Sequence, residues 1–233
     1  MLDFIYKIKR GTAMKILFLG TGAADYTGEE KEFRRNSSAL IDDIILIDPG
    51  KYVIDAIKEF KVDVNKIKYI LNTHRHDDHF NENTLSYLVS QGATFIDTKP
   101  NDIIELGEYR ILALRGNHTV PTCHFIIEHE GKRMFYGLDG GWLMYEEIDA
   151  IWKKGVDLAV FDATVGFVEG DYRIFEHTSL NMILDMKKSI NTAIKKYVIS
   201  HMAYTLHTDH KTLEAEMKKH GIITAYDGLT IEF

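Results

Sequence analysis

The chain has 233 residues, 45% of them hydrophobic and 27% charged, with a formal net charge of −7. This composition fits one globular domain with a substantial core. It contains no apolar run of about 18 residues, so no membrane span is expected, and its acidic balance argues against a broad nucleic-acid surface, which needs clustered Lys and Arg.

The single cysteine, Cys123, excludes an internal disulfide and a cysteine-rich zinc site. The first ten residues lack a signal-peptide layout, and the expected location is the cytoplasm. Residues 1–13 read as an N-terminal extension and residues 14–233 as a single domain, with no repeat or linker to divide it.

Lys15–Leu19 has the character of a buried strand and is ended by Gly20-Thr21-Gly22. Ser38–Ile41 and Ile44–Ile47 predict a hairpin around Asp42-Asp43. Val53, Ile54, Ile57 and Phe60 recur at helical spacing. Lys68–Thr73 predicts a strand that runs into His74-Arg75-His76-Asp77-Asp78-His79, and a helix begins near Asn81 with Leu85, Leu88 and Val89 on one face. Phe125–Ile127, Arg133–Tyr136, Leu158–Phe161 and Tyr197–Ser200 predict four further strands. Met144, Ile148, Ile151 and Trp152 predict a helix between them. A second helix carries Leu180, Ile183 and Leu184, with Thr178 or Ser179 as its cap. Leu213 and Met217 mark a last helix. Asp227-Gly228, between Ile222–Tyr226 and Leu229–Phe233, predicts a terminal hairpin.

The six-residue string at 74–79 reads H-x-H-x-D-H. His74 and His76, two apart in an extended stretch, project the same way. Asp78 and His79 then turn toward a second point a short distance off. Three imidazoles and a carboxylate so arranged suit two metal ions better than one. Other chemistry-bearing residues also read as falling just past strand ends: His118, Asp139, Asp162 and His201. A two-layer scaffold converges loops on one edge in this way. His124, His129 and His220 have no such context and read as packing or surface residues. His207 and His210 follow His201 closely but also read as structural.

The H-x-H-x-D-H string resembles the signature of the metallo-β-lactamase superfamily of hydrolases, and the likeness runs from Met14 to Phe233. The resemblance implies an α/β fold, an αββα four-layer sandwich of two mixed sheets with helices outside. It implies two divalent metal ions, zinc, manganese or iron. By the same resemblance, His74, His76 and His118 bind one ion, Asp78, His79 and His201 bind the other, and Asp139 bridges them. The implied reaction is hydrolysis by a hydroxide held between the ions, with Asp78 also counted among the catalytic groups.

A further segment is similar to the phosphodiesterase branch. Val160-Phe-Asp-Ala-Thr164, followed by Glu176-His177-Thr178-Ser179-Leu180-Asn181, resembles stretches of the tRNA 3′-processing endonuclease and of the phosphoribosyl cyclic phosphate phosphodiesterase. This implies that His177 protonates the departing oxygen, oriented by Asp162. Arg34, Arg35 and Asn36, ahead of the second strand, resemble both enzymes and are expected to bind substrate. The chain lacks the N-terminal cysteine cluster of the phosphoribosyl enzyme. Only twenty residues lie between His118 and Asp139, which leaves little space there for a tRNA-gripping arm. The usual Asp-Thr at the bridging position is Asp139-Gly140.

The expected function is therefore a metal-dependent phosphodiesterase acting on a small, cyclic phosphate ester or a nucleotide. The expected partner is that small molecule, with no nucleic acid and no membrane; the oligomeric state stays open, a homodimer included. A lactonase or thioesterase using the same centre on a carbonyl is the alternative. A redox flavodiiron role would require Glu at the position of His76. A binding module without catalysis would be expected to have lost ligands, and all seven positions are filled.

Overall fold

The computed structural model describes residues 13–233; residues 1–12, most of the expected N-terminal extension, lie outside the described residues. Two mixed sheets stack face to face with helices on both outer sides. The first sheet holds six strands: β1 (Lys15–Gly20), β2 (Ser38–Ile41), β3 (Ile45–Ile47), β4 (Tyr69–Leu71), β5 (Thr94–Ile96) and β13 (Thr230–Glu232), in the order β13-β1-β2-β3-β4-β5. The second holds seven: β6 (Ile103–Leu106), β7 (Tyr109–Arg115), β8 (Cys123–His129), β9 (Lys132–Gly137), β10 (Val156–Asp162), β11 (Ile194–Ser200) and β12 (Ile222–Thr224), in the order β12-β11-β10-β9-β8-β7-β6.

The side-chain period of two explains the four layers. In β1, Ile16 and Phe18 face the second sheet, where they join Ile41, Phe125, Tyr136 and Val160 in the central core. Leu17 and Leu19 face the other way and cover α1 (Val53–Glu59) and α2 (Glu82–Ser90) through Ala56, Ile57 and Leu88. In the second sheet Phe135, Phe161 and Ile199 turn outward. They meet Ile151 of α3 (Tyr145–Lys154), Ile183 of α4 (Leu180–Ile190) and Leu213 of α5 (His210–Lys219). Strands buried on both faces read as near-continuous apolar runs, as Leu158–Phe161 does. The expected αββα sandwich is thus the observed architecture. No helix among the described residues is long and apolar enough to cross a membrane.

Two expectations need correction. The terminal segments do not form a hairpin. Ile222–Thr224 pairs with β11 in the second sheet, while Thr230–Glu232 pairs antiparallel with β1 in the first. The Asp227-Gly228 turn carries the chain from one sheet to the other, and Asp227 anchors it by accepting hydrogen bonds from Thr21 Oγ1 and the Arg35 amide, both at 2.8 Å. Three strands, β5, β6 and β7, also had no sequence counterpart. β6 is an edge strand of mixed exposure whose Glu105 and Arg110 partners blur the alternation.

Parallel strands β9, β10 and β11 end side by side at Gly137, Asp162 and Ser200. Loops leaving the C-terminal ends of parallel strands are where open sheets build sites, and these carry Asp139, Thr164 and His201.

Candidate metal and catalytic centre

The loop between β4 and α2 carries the first four donors. The Asn81 side chain caps α2, accepting from the Asn83 and Thr84 amides at 3.1 Å, so the helix starts cleanly beyond the string. The loop also passes tightly over Gly50, where an added Cβ would lie 2.8 Å from the Asp78 carbonyl oxygen.

The seven expected ligands converge. His79 Nε2 lies 3.1 Å from His201 Nε2 and 3.3 Å from Asp78 Oδ2. Asp139 lies between the two expected sets, with Oδ2 at 2.7 Å from His79 Nε2 and 3.2 Å from His201 Nε2, and Oδ1 at 3.9 Å from His118 Nε2. His118 Nε2 is 3.4 Å from His76 Nδ1, and the His74 ring stacks edge-on against both. Donor atoms of His74, His76 and His118 fall within 4.8 Å of one another, as do those of Asp78, His79 and His201.

The arrangement fits divalent cations on the structure's own terms. His74 Nε2 is buried with no hydrogen-bond partner. Asp139 Oδ2, although close to two histidine nitrogens, is not aligned with a donor and is also left without a hydrogen bond. Buried polar atoms are rarely orphaned unless something else binds them. For four of the five histidines the second nitrogen has a partner outside the cluster. His79 Nδ1 donates to Asp48 Oδ2 at 2.7 Å, His118 Nδ1 to the Glu176 carbonyl at 3.0 Å and His201 Nδ1 to Thr164 Oγ1 at 2.7 Å. His74 Nδ1 lies 3.1 Å from Thr73 Oγ1, whose hydroxyl reaches Asp48 at 3.0 Å. Outer partners of this kind fix the tautomer of metal-ligating histidines.

Electrostatics agree. Burial, reinforced by the neighbouring His79, pushes His74 down to about 2, which keeps it neutral and able to ligate. Burial opposes the charge of Asp78, but His79 and His201 hold its carboxyl well below the usual range. Burial likewise opposes Asp139, and His201 and His79 again prevail.

Three buried residues beside the cluster adopt left-handed backbone without being glycine: Asp48 (φ 62°), Asp139 (φ 56°) and His201 (φ 57°). Each follows a strand end, and such conformations persist only where surroundings hold them. Asp48, Thr73 and Thr164 were missed in the sequence. Asp48 alone carried a signal, since it follows β3 just ahead of Pro49-Gly50, the placement shared by the other site residues.

His177 and Asp162 form a dyad at the cleft. His177 Nδ1 donates to Asp162 Oδ2 at 2.8 Å, and Asp162 Oδ1 accepts from the Thr164 amide at 2.6 Å. Burial disfavours the imidazolium, but the Asp162 carboxylate holds His177 up to about 9. The rings of His177 and His201 stack with centroids 5.6 Å apart. The cleft itself has a volume of about 280 Å³ and is lined by Asp78, His118, Asp139, Arg173, His177 and His201. A larger groove of about 630 Å³ lies at the opposite ends of the strands, beside Glu128, Lys132 and Asp157, away from this cluster.

The structure does not bring Arg34, Arg35 and Asn36 to the cleft. Arg34 is buried, donating to Thr21 Oγ1 and the Ala225 carbonyl and contacting His210 Nδ1 at 2.8 Å. Arg35 pairs with Asp227 and Glu59. Asn36 donates to the Ala23 carbonyl at 3.0 Å. These residues tie the loop that carries Ala23–Asp25 to the terminal crossover and to α1, and their donors are spent on those contacts. Arg173, which the sequence did not single out, is the arginine that lines the cleft; it pairs with Asp171 at 2.7 Å. His207 is structural, donating to the Ala163 carbonyl at 2.6 Å.

Comparisons with known proteins follow the architecture. A family model described as anti-Pycsar protein Apyc1 matches residues 14–104, a stretch that includes the 74–79 string. No curated protein sequence matches the chain. Among solved structures, the metallo-β-lactamase fold protein YhfI from Bacillus subtilis aligns with a TM-score of 0.77 at 16% identity, covering 95% of this chain and 100% of that one. A diphosphatase from the PhnP family aligns at 0.73 and 16% identity, covering 94% and 98%. Human tRNase Z, short form, aligns at 0.67 and 17% identity, covering 93% and 98%. At such identities the likeness is one of fold, and the chain has the metallo-β-lactamase fold.

Proposed function

We propose that this chain is a dinuclear metal-dependent phosphodiesterase acting on a small cyclic phosphate ester or nucleotide. The observation that carries the reading is the Asp162–His177 dyad set against a seven-residue donor cluster in one cleft. His74, His76 and His118 would hold one divalent ion, Asp78, His79 and His201 the other, with Asp139 between them. Five imidazoles and two carboxylates suit zinc, manganese or iron. Two such ions, when bound, polarise phosphoryl oxygens and lower the pKa of water.

The protein's own groups supply the rest. Asp78 faces the cleft, where its carboxylate would orient the attacking water by accepting a hydrogen bond from it. His177 is committed to Asp162 through Nδ1, which leaves Nε2–H for the leaving oxygen. An imidazole held up to about 9 is protonated at neutral pH, the state a general acid needs. A carbonyl substrate such as a thioester has less need of that donor, because a thiolate leaves unaided. The diphosphatase among the similar structures supports phosphoester chemistry. A cleft of about 280 Å³ lies near the lower end of small-molecule sites, about 300–1,000 Å³. The net charge of −7 further disfavours a long polyanion.

The test is a panel of p-nitrophenyl phosphodiesters, cyclic phosphates, lactones, thioesters and a precursor tRNA, assayed with metal-loaded protein. The phosphodiesters and cyclic phosphates should give the highest kcat/KM. A lactone or thioester in first place, or efficient 3′ processing of the tRNA at physiological salt, would reject the reading. Asp48→Asn offers a second check. Asn tolerates left-handed backbone, so the change removes mainly the charge behind His79 and Thr73. Metal affinity should fall about 10–100-fold, measured by competition with a chromophoric chelator.

A further inference from the structure

Behind Asp139, a buried pair serves neither the ligand set nor the acid dyad. His124, the second residue of β8, is 2% exposed, and Glu147, in the first turn of α3, is fully buried. His124 Nδ1 donates to Glu147 Oε1 at 2.5 Å. Its Nε2 donates to the Leu138 carbonyl at 3.0 Å and lies 3.4 Å from the Asp139 carbonyl. Both ring nitrogens face acceptors, so both carry hydrogen. The other Glu147 oxygen accepts from the Met144 amide at 2.6 Å and closes the first turn of α3.

Three glycines from two stretches of the chain box in the ring. A Cβ on Gly116 would lie 2.6 Å from His124 Nε2, one on Gly137 3.1 Å from Nδ1, and one on Gly140 2.5 Å from Cε1. None of the three has a positive φ. Turn geometry therefore does not demand glycine there; at Gly116 and Gly140 the imidazole does, and at Gly137 the Phe135 ring, 2.5 Å from the added Cβ, does so together with it. Two of them flank Asp139, whose own left-handed backbone needs to be held in place. The far side of the same loop is fixed by Thr178 Oγ1, which donates to the Gly140 carbonyl at 2.7 Å.

We infer that His124, clamped by Glu147, is the positioning residue for Asp139: its grip on the Leu138–Asp139 carbonyls aims the Asp139 carboxylate into the ligand cluster. The inference rests on Asp139 being a metal ligand. It assigns α3, which lines no part of the cleft, a role in metal affinity. A hydrophobic pair could fill the same space and often stabilises a fold equally well, but it could not hold two carbonyls.

Glu147→Gln keeps the volume and leaves one oxygen to serve two donors. Three quantities are read: zinc affinity by chelator competition, kcat and KM of the zinc form, and the unfolding midpoint of the zinc-free form. Zinc affinity should weaken about 10–100-fold, as for other outer partners of metal ligands. The kcat should fall by a similar factor while KM changes less. Gly116→Ala, which presses on the ring from the other side, should give the same pattern. Ile151→Val loosens the same helix without touching the pair; it should lower the midpoint and leave zinc affinity unchanged. If Glu147→Gln and Gly116→Ala lose thermal stability yet bind zinc within about twofold of the parent, the pair is only structural and the inference falls. If the parent protein binds no zinc, the metal-centre reading falls first and takes the inference with it.

Discussion

His76→Ala protein should stay folded, lose metal, and hydrolyse no ester of any class. His76 sits in a loop, half-buried, with its ring 4.4 Å from that of His74 and 5.2 Å from that of His118. Its packing contribution is small, so the metal-free unfolding midpoint should be close to the parent's. Its loss takes one of the three imidazoles from one ion and leaves His74, His118 and the shared Asp139 carboxylate, a weaker donor set. Without the ions, nothing in the cleft can produce a strong nucleophile near neutral pH. Elemental analysis should therefore show fewer than two metals per chain, and added zinc or manganese should not restore turnover. A variant with two tightly held metals, or with parental activity, would remove His76 from the ligand set.

His177→Ala should behave differently, because the proposal makes His177 the acid beside the proposed ligands and not one of them. An alkoxide is a poor leaving group unless it is protonated, and general acid catalysis typically contributes roughly 10²–10⁴-fold. The variant should keep both metals and slow alkyl phosphodiesters by about that factor. It should barely affect p-nitrophenyl esters, whose leaving group departs without a proton. Asp162→Asn should fall in the same direction, since Asp162 fixes the His177 ring through the 2.8 Å hydrogen bond. Equal slowing of both ester classes, or loss of a metal, would show that His177 is not the acid. Phosphodiester chemistry would then rest on the likeness of fold and the size of the cleft.

Much of this centre was legible because close spacing and strand-end placement are properties of the chain itself. The 74–79 string announces its chemistry in six residues. Asp139 and His201 could be found because each follows an apolar run that ends abruptly, while His118, behind the unread strand β7, came from the family resemblance. Asp48 and Thr164 were harder, because a single carboxylate or hydroxyl after a strand has many uses, and theirs is to bond a histidine far away in sequence. Arg34 and Arg35 show the opposite failure. A pair of guanidiniums gives no hint of direction: Arg34 is spent on the Ala225 carbonyl of the terminal crossover, and Arg35 on Asp227 there and on Glu59 of α1. The same crossover defeated the hairpin reading of Asp227-Gly228. The turn signal was local and correct, but which sheet each flanking strand joined was set by long-range pairing with β1 and β11. His124 passed as a packing residue because its glycine box assembles only in three dimensions.

The most direct measurement is a crystal structure of metal-replete protein with anomalous scattering data collected at the metal edge. The account predicts two ions about 3.5–4 Å apart, one held by His74, His76 and His118, the other by Asp78, His79 and His201, and Asp139 touching both. A single ion, or His118 or His201 turned away from the metals, would contradict it.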